Sequence, residues 1–259
     1  MHEDHLINRA SWDELAAVHG QDSYYDTESL VAGKSSFMEE EEAALQLAVG
    51  GDLTDKRVLH VQCHLGCDAI TFARRGAGVT GVDFSTVALN KARALAQRCG
   101  VEVEWVCADA TELPDILDGR FDLAWATIGV LCWISDIRAW MRSVARTLRG
   151  GGTLVLIDGH PLDEDEGDGL DASGRTTYEK GCDYATPLVT GPQVQFTHSL
   201  NEVLAAAAEA GLHVTKLLEH RSASEGLCND RWTRESDGRF RRRVDGEPEP
   251  LLFTLVARR

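Results

Sequence analysis

Residues whose types suit chemistry gather at a few places in this chain. HVQCHLGCD (60–68) brings His60, Cys63, His64, Cys67 and Asp68 into nine positions. These types suit zinc, but their spacing lacks the loop geometry of a structural site, so no metal is expected. Small buried thiols are the ordinary state of such cysteines, so Cys63 and Cys67 are not read as nucleophiles. His160, in LIDGHP, and His198, in FTHSL, are the candidate catalytic bases, because an imidazole titrates close to neutrality. Each also reads as a hydrogen-bonded loop histidine. Trp133 suits the wall of an aromatic or apolar substrate pocket, and Tyr178 and Tyr184 either touch substrate or anchor their loop.

These residues need a scaffold, and the apolar pattern supplies one. RVLHVQ (57–62), VTGVD (79–83), VEVEWVCAD (101–109), FDLAWAT (121–127) and TLVLID (153–158) read as strands. Between them, Asp68 to Arg75, the run after Ser85 up to Gly100, and Asp136 to Arg149 read as helices. Ser85 is a good N-cap, and Gly76 and Gly100 are good stops. This alternation predicts a doubly wound, mostly parallel sheet with helices on both faces, whose ligand crevice lies at the strand C-termini. Ser199 begins a further helix, and 212–220 and 251–257 read as two closing strands, making seven. The fold class expected is therefore α/β and Rossmann-like. Residues 1–50 form a helical cap or lid, and 51–259 form the main domain, with a polar insertion at about 160–198.

Composition narrows the function. The chain has 259 residues, 43% hydrophobic and 26% charged, which is ordinary for a globular protein. Its seven cysteines include no CxxC pair, which argues for free thiols in a reducing compartment. No apolar run is long enough to span a bilayer. MHEDHLINRASWDEL lacks the basic and apolar regions of a secretory signal, so a cytoplasmic location is expected. A formal net charge of −16 argues against a nucleic-acid substrate and favours a cationic or neutral small molecule. The acidic run 163–166 and the arginine run 239–243 read as solvated surface. A monomer or homodimer is the default assembly.

In motif order, the segment 57–158 resembles the class I S-adenosylmethionine (SAM)-dependent methyltransferases. HVQCHLG (60–66) stands where that family has D/E-x-G-x-G-x-G: His60 replaces the acid, Gln62 and His64 replace two glycines, and Gly66 is retained. LHVQCHLGCD is similar to a subfamily with its own version of this loop. The stronger match is VTGVDFS, followed by VCADATEL, FDLAWATIGVLCWISD and LRGGGTLVLID. The resemblance implies SAM as cofactor and S-adenosylhomocysteine as product. It places the ribose hydroxyls on Asp83, beside Phe84 and Ser85, and the adenine amino group on Asp109, beside Ala110. Gln62, Cys63, Gly66 and Thr127 would shape the methionine end, with Ile128 near the transferred methyl.

The N-terminal NRASWDELAAVHGQDSYYD also resembles the subfamily. It implies that Trp12, His19, Tyr24 and Tyr25 close over the cofactor, where aromatic faces attract a sulfonium; the alternative is a capping helix whose aromatics pack on the core. The reaction implied is methyl transfer to an N, O or C atom of a small molecule, with specialised metabolism within the family's range. The rival readings are an NAD-dependent oxidoreductase, a nucleic-acid methyltransferase and a non-catalytic SAM-binding protein.

Overall fold

The computed structural model describes residues 2–20, 25–162, 175–178, 191–227 and 231–259. Three helices come first: α1 (Glu3–Val18), α2 (Thr27–Val31) and α3 (Glu39–Val49). An alternating run follows: β1 (Arg57–Val61), α4 (Cys67–Arg74), β2 (Gly78–Asp83), α5 (Thr86–Arg98), β3 (Glu104–Cys107), β4 (Phe121–Thr127), α6 (Ile137–Thr147) and β5 (Leu148–Gly159). A hairpin of β6 (Arg175–Tyr178) and β7 (Gln193–Phe196) precedes α7 (Leu200–Glu209) and β8 (His213–His220). Two short ribbons, β9 (Thr233–Arg234) with β10 (Phe240–Arg241) and β11 (Arg243–Val244) with β12 (Glu247–Pro248), lead to β13 (Leu252–Arg258).

The main sheet has seven strands in the order β3-β2-β1-β4-β5-β13-β8. β1 to β5 run parallel, and β13 lies antiparallel between β5 and β8. Successive strand residues face opposite ways, so neighbours in sequence enter different cores. Leu59, Val61 and Val82 join Leu154 and Leu156 against Trp140, Met141 and Val144 of α6 and Val203 and Ala206 of α7. Val58, Val79, Trp125 and Val155 face the other way, against Ala44 and Leu45 of α3 and Phe72 of α4. This is the two-faced α/β sheet the alternation predicts.

Two boundaries differ from the sequence expectation. The third strand covers only Glu104–Cys107 instead of 101–109, because it is the sheet edge and none of its four residues is fully buried. Past Cys107 the Asp109 carboxylate accepts the Thr111 N–H and turns the chain into a 3₁₀ turn. The fifth strand begins at Leu148 instead of 153 and runs through the three glycines. Gly152 has no room for a Cβ, which would lie 2.8 Å from the Phe121 carbonyl oxygen.

The base of the insertion is the β6–β7 hairpin, and it docks on α1. Asn8 donates to the Val194 carbonyl and accepts the Val194 N–H at 2.7 and 2.8 Å. Arg175 pairs with the buried Asp4, and Gln193 donates to Ser11.

Candidate functional site

The chain order reverses direction across the sheet between β1 and β4, and at such a switch point the loops leaving the strand ends part to open a crevice. A cleft of about 650 Å³ lies there. Its floor is the turn after β1, and α1 contributes His5 and Trp12 to its wall.

That turn repeats a left-handed backbone at alternate residues: φ is +54° at Gln62, +46° at His64 and +70° at Gly66. Two side chains that disfavour this region therefore hold it. Gln62 is fixed at both ends of its amide, donating to the Val130 carbonyl at 3.0 Å and accepting the Trp140 indole N–H at 2.8 Å. The His64 N–H donates to Asp83 at 2.9 Å, and its ring packs against Trp12, Tyr25 and His19. Gly66 cannot be replaced for a different reason: a Cβ there would lie 2.3 Å from the Trp105 ring.

Asp83 closes β2 and faces the cleft. Burial pushes its carboxyl up to about 6, against the pull of the Ser85 and His64 N–H groups. Asp109 behaves oppositely. Burial alone would raise it, but hydrogen bonds from His5 and Thr111 outweigh burial and bring it down to about 2. The Ser135 N–H donates to His5 Nε2, so Nδ1 carries the proton that His5 donates to Asp109 at 2.7 Å. Asp13 of the same helix accepts the Ser85 hydroxyl at 2.5 Å. Helix α1 is thus tied to the ends of both β2 and β3.

Most sequence-predicted site residues meet in this cleft: Trp12, Tyr25, Gln62, Cys63, Gly66, Asp83, Phe84, Asp109, Ala110, Thr127, Ile128 and Trp133 all line it. Ser85 does not. It is fully buried behind Asp83 as the cap of α5. Tyr24 and Tyr184 lie outside the described residues.

The two histidines expected as bases do not line the cleft either. His160 is 3% exposed, accepting the Leu162 N–H on Nδ1 and meeting Glu219 through Nε2 at 3.0 Å. Its backbone N–H pairs with Leu251, so the chain leaves β5 toward β13 and carries the ring away from the crevice. His198 donates to the Ile134 carbonyl at 2.7 Å. Tyr178 sits on β6, outside the cleft lining and 37% exposed.

Sequence reasoning missed several residues. Asp158 is 4% exposed and accepts the N–H groups of Gly129, Val130 and Leu131, which shapes the loop after β4. His5 and Asp13 carry the tethers of α1. Glu41 lines the β4 side of the cleft beside Asp68, which the sequence shows only within a cluster of zinc-type residues.

Residues 58–152 match the family model described as a methyltransferase domain. The match takes in the run from β1 to the glycines of β5. A ubiquinone biosynthesis O-methyltransferase from Alkalilimnicola ehrlichii is 37% identical over 106 residues, which is 41% of this chain and 42% of that relative. One from Idiomarina loihiensis is 32% identical over 104 residues, again 42% of its length. The chain thus spans less than half the length of the relatives it matches. In fold it resembles a SAM-dependent methyltransferase from Mesorhizobium loti, with a TM-score of 0.58 at 21% identity, covering 88% of this chain and all of that one.

The cleft fits SAM in size and in donor set. A volume near 650 Å³ lies within the usual range for ligand pockets. Asp83 and Asp109 present carboxylate acceptors at the ends of neighbouring strands, suited to hydroxyl or amino donors.

Proposed function

We propose that the chain transfers the methyl group of SAM to an N, O or C atom of a small molecule. One observation carries this reading: Asp83 and Asp109 face a single cleft at the switch point, and α1 reaches over both. Bound SAM supplies an electrophilic methyl on its sulfonium. Asp83 holds the ribose hydroxyls and Asp109 the adenine amino group, next to Phe84 and Ala110. Gln62, Cys63, Gly66 and Thr127 line the methionine end, and Ile128 and Trp133 border the acceptor. Trp12 and Tyr25 exclude water, so that positioning supplies most of the rate.

The O-methyltransferase relatives make a hydroxyl oxygen the first acceptor to try. The arginine run offers little to nucleic acid: Arg239, Arg241, Arg242 and Arg243 each pair with a carboxylate. Among the described residues, no helix is long and apolar enough to cross a membrane. The free thiols at Cys63, Cys99 and Cys107 suit a reducing, cytoplasmic setting.

Incubation with methyl-labelled SAM and a panel of phenols, alcohols and amines tests the activity. Label transfer to one acceptor class is the expected outcome. Tight cofactor binding with no transfer across the panel would favour a non-catalytic SAM-binding role instead.

A further inference from the structure

Asp83 and Asp109 occupy the β2–β3 side of the cleft. A second acidic group occupies the β1–β4 side. Glu41 comes from the first turn of α3, Asp68 from the first turn of α4, His60 from β1 and Thr127 from the end of β4, and all four line the cleft. Asp68 accepts hydrogen bonds from Ser36 (2.7 Å), Thr127 (3.0 Å) and the Trp125 indole (3.3 Å). The Met38 N–H donates to one oxygen of Glu41 at 2.7 Å. Every one of these donors is neutral.

Glu41 is 4% exposed, and burial followed by the nearby Asp68 carboxylate drives its carboxyl well above the usual range. Two carboxyl groups thus share one buried site that only neutral donors meet. His60, also 4% exposed, is kept neutral by burial, and its Nδ1 has no hydrogen-bond partner among the described residues. A buried imidazole nitrogen without a partner is costly, and it leaves this wall of the cleft with an unmatched polar group. No three His, Cys, Asp or Glu side chains among the described residues are grouped to hold a metal ion.

A buried carboxylate met only by neutral donors suits a cation rich in N–H donors. SAM carries one such group besides its sulfonium, the ammonium of its methionine tail, and neither Asp83 nor Asp109 is assigned to it. We propose that Asp68, supported by Glu41 and His60, receives the α-ammonium group of the cofactor tail. This rests on the SAM reading above. It also gives the sequence departure at His60 a chemical counterpart: the strand end lacks an acid, and helices α3 and α4 deliver the carboxylates to the same end of the cleft.

The test compares S-adenosylhomocysteine with two ligands that lack the ammonium: its deamino analogue and 5′-methylthioadenosine, which lacks the whole tail. Calorimetric titration of the wild-type chain with S-adenosylhomocysteine comes first, and failure there removes the SAM reading itself. Given binding, Asp68→Asn is expected to weaken S-adenosylhomocysteine about tenfold or more, the range of one charge-assisted hydrogen bond. It should leave 5′-methylthioadenosine unchanged, which also shows that the variant is folded. The wild-type chain should bind the deamino analogue about tenfold more weakly than S-adenosylhomocysteine, a comparison that needs no variant to fold. Equal affinity of the wild type for these two ligands would overturn the proposal. So would an Asp68→Asn variant that keeps full affinity for S-adenosylhomocysteine.

Discussion

Asp83 and Asp109 are both carboxylates at strand ends, yet their surroundings push them apart, to about 6 and about 2. For Asp83 the folded value lies above the ordinary 3.8. Its contribution to stability is therefore present below that value and lost as pH rises through about 6. For Asp109 the contribution is present above 3.8 and lost as pH falls through about 2. Ribose hydroxyls donate best to an ionised Asp83. Affinity for S-adenosylhomocysteine should thus fall below pH 6, toward about tenfold per unit, and Asp83→Asn should flatten that dependence. Titrations between pH 5 and pH 8 check this, and a wild-type affinity flat across that range would contradict it. Gln62 makes a second residue-scale case. Glycine there would relieve roughly 1 kcal/mol of left-handed strain. It would also strand the buried Trp140 N–H and the Val130 carbonyl, at about 1–3 kcal/mol for each group left unmatched. Gln62→Gly should therefore lower stability by about 1 kcal/mol or more in urea melts, and a stabilised variant would show that those bonds contribute little.

At the scale of elements, helix α1 is the component that converts an open crevice into a cleft. It is amphipathic only weakly as a sequence, and its position is set by polar contacts reaching far along the chain: His5 to Asp109, Asp13 to Ser85, Asn8 to Val194. His5→Ala should let the Asp109 carboxyl rise from about 2 toward its ordinary value. It should also cost about 1–3 kcal/mol at pH 7 for the lost buried hydrogen bond, and speed cofactor release. Urea melts and stopped-flow release of S-adenosylhomocysteine measure both, and a variant matching wild type in both would show that α1 closes without this tether. The same contacts show why the site was only partly legible. Apolar alternation and helix caps gave β1, β2, β4 and β5, because those signals are local. The carboxylates of Asp83 and Asp109 could be placed because each follows a strand directly. Tethers spanning 104 residues, such as His5 to Asp109, leave no periodic trace. His160 was misplaced because nothing local tells that the chain turns toward β13 after Gly159. Asp68 was legible as a polar residue at a helix start, but its partners on α3 and β4 were not.

Across the whole molecule, the sheet order sets which residues share the cleft and the surface charge sets which partners approach it. Strands β2 and β3 bring two carboxylates to one side, and helices α3 and α4, beside β1 and β4, bring the Glu41–Asp68 group to the other. With a net charge of −16 and its arginine run paired to carboxylates, the chain offers phosphate backbones little attraction. The left-handed turn built from Gln62 and His64 keeps the backbone shape that glycines would otherwise provide. The central claim is that the cleft binds SAM through Asp83. Its most direct test is calorimetric titration of the wild-type and Asp83→Ala chains with S-adenosylhomocysteine, with NAD as control. Saturable binding by the wild type, lost in the variant and absent for NAD, is the result predicted. A folded wild-type chain that ignores S-adenosylhomocysteine, or that binds NAD instead, would contradict it.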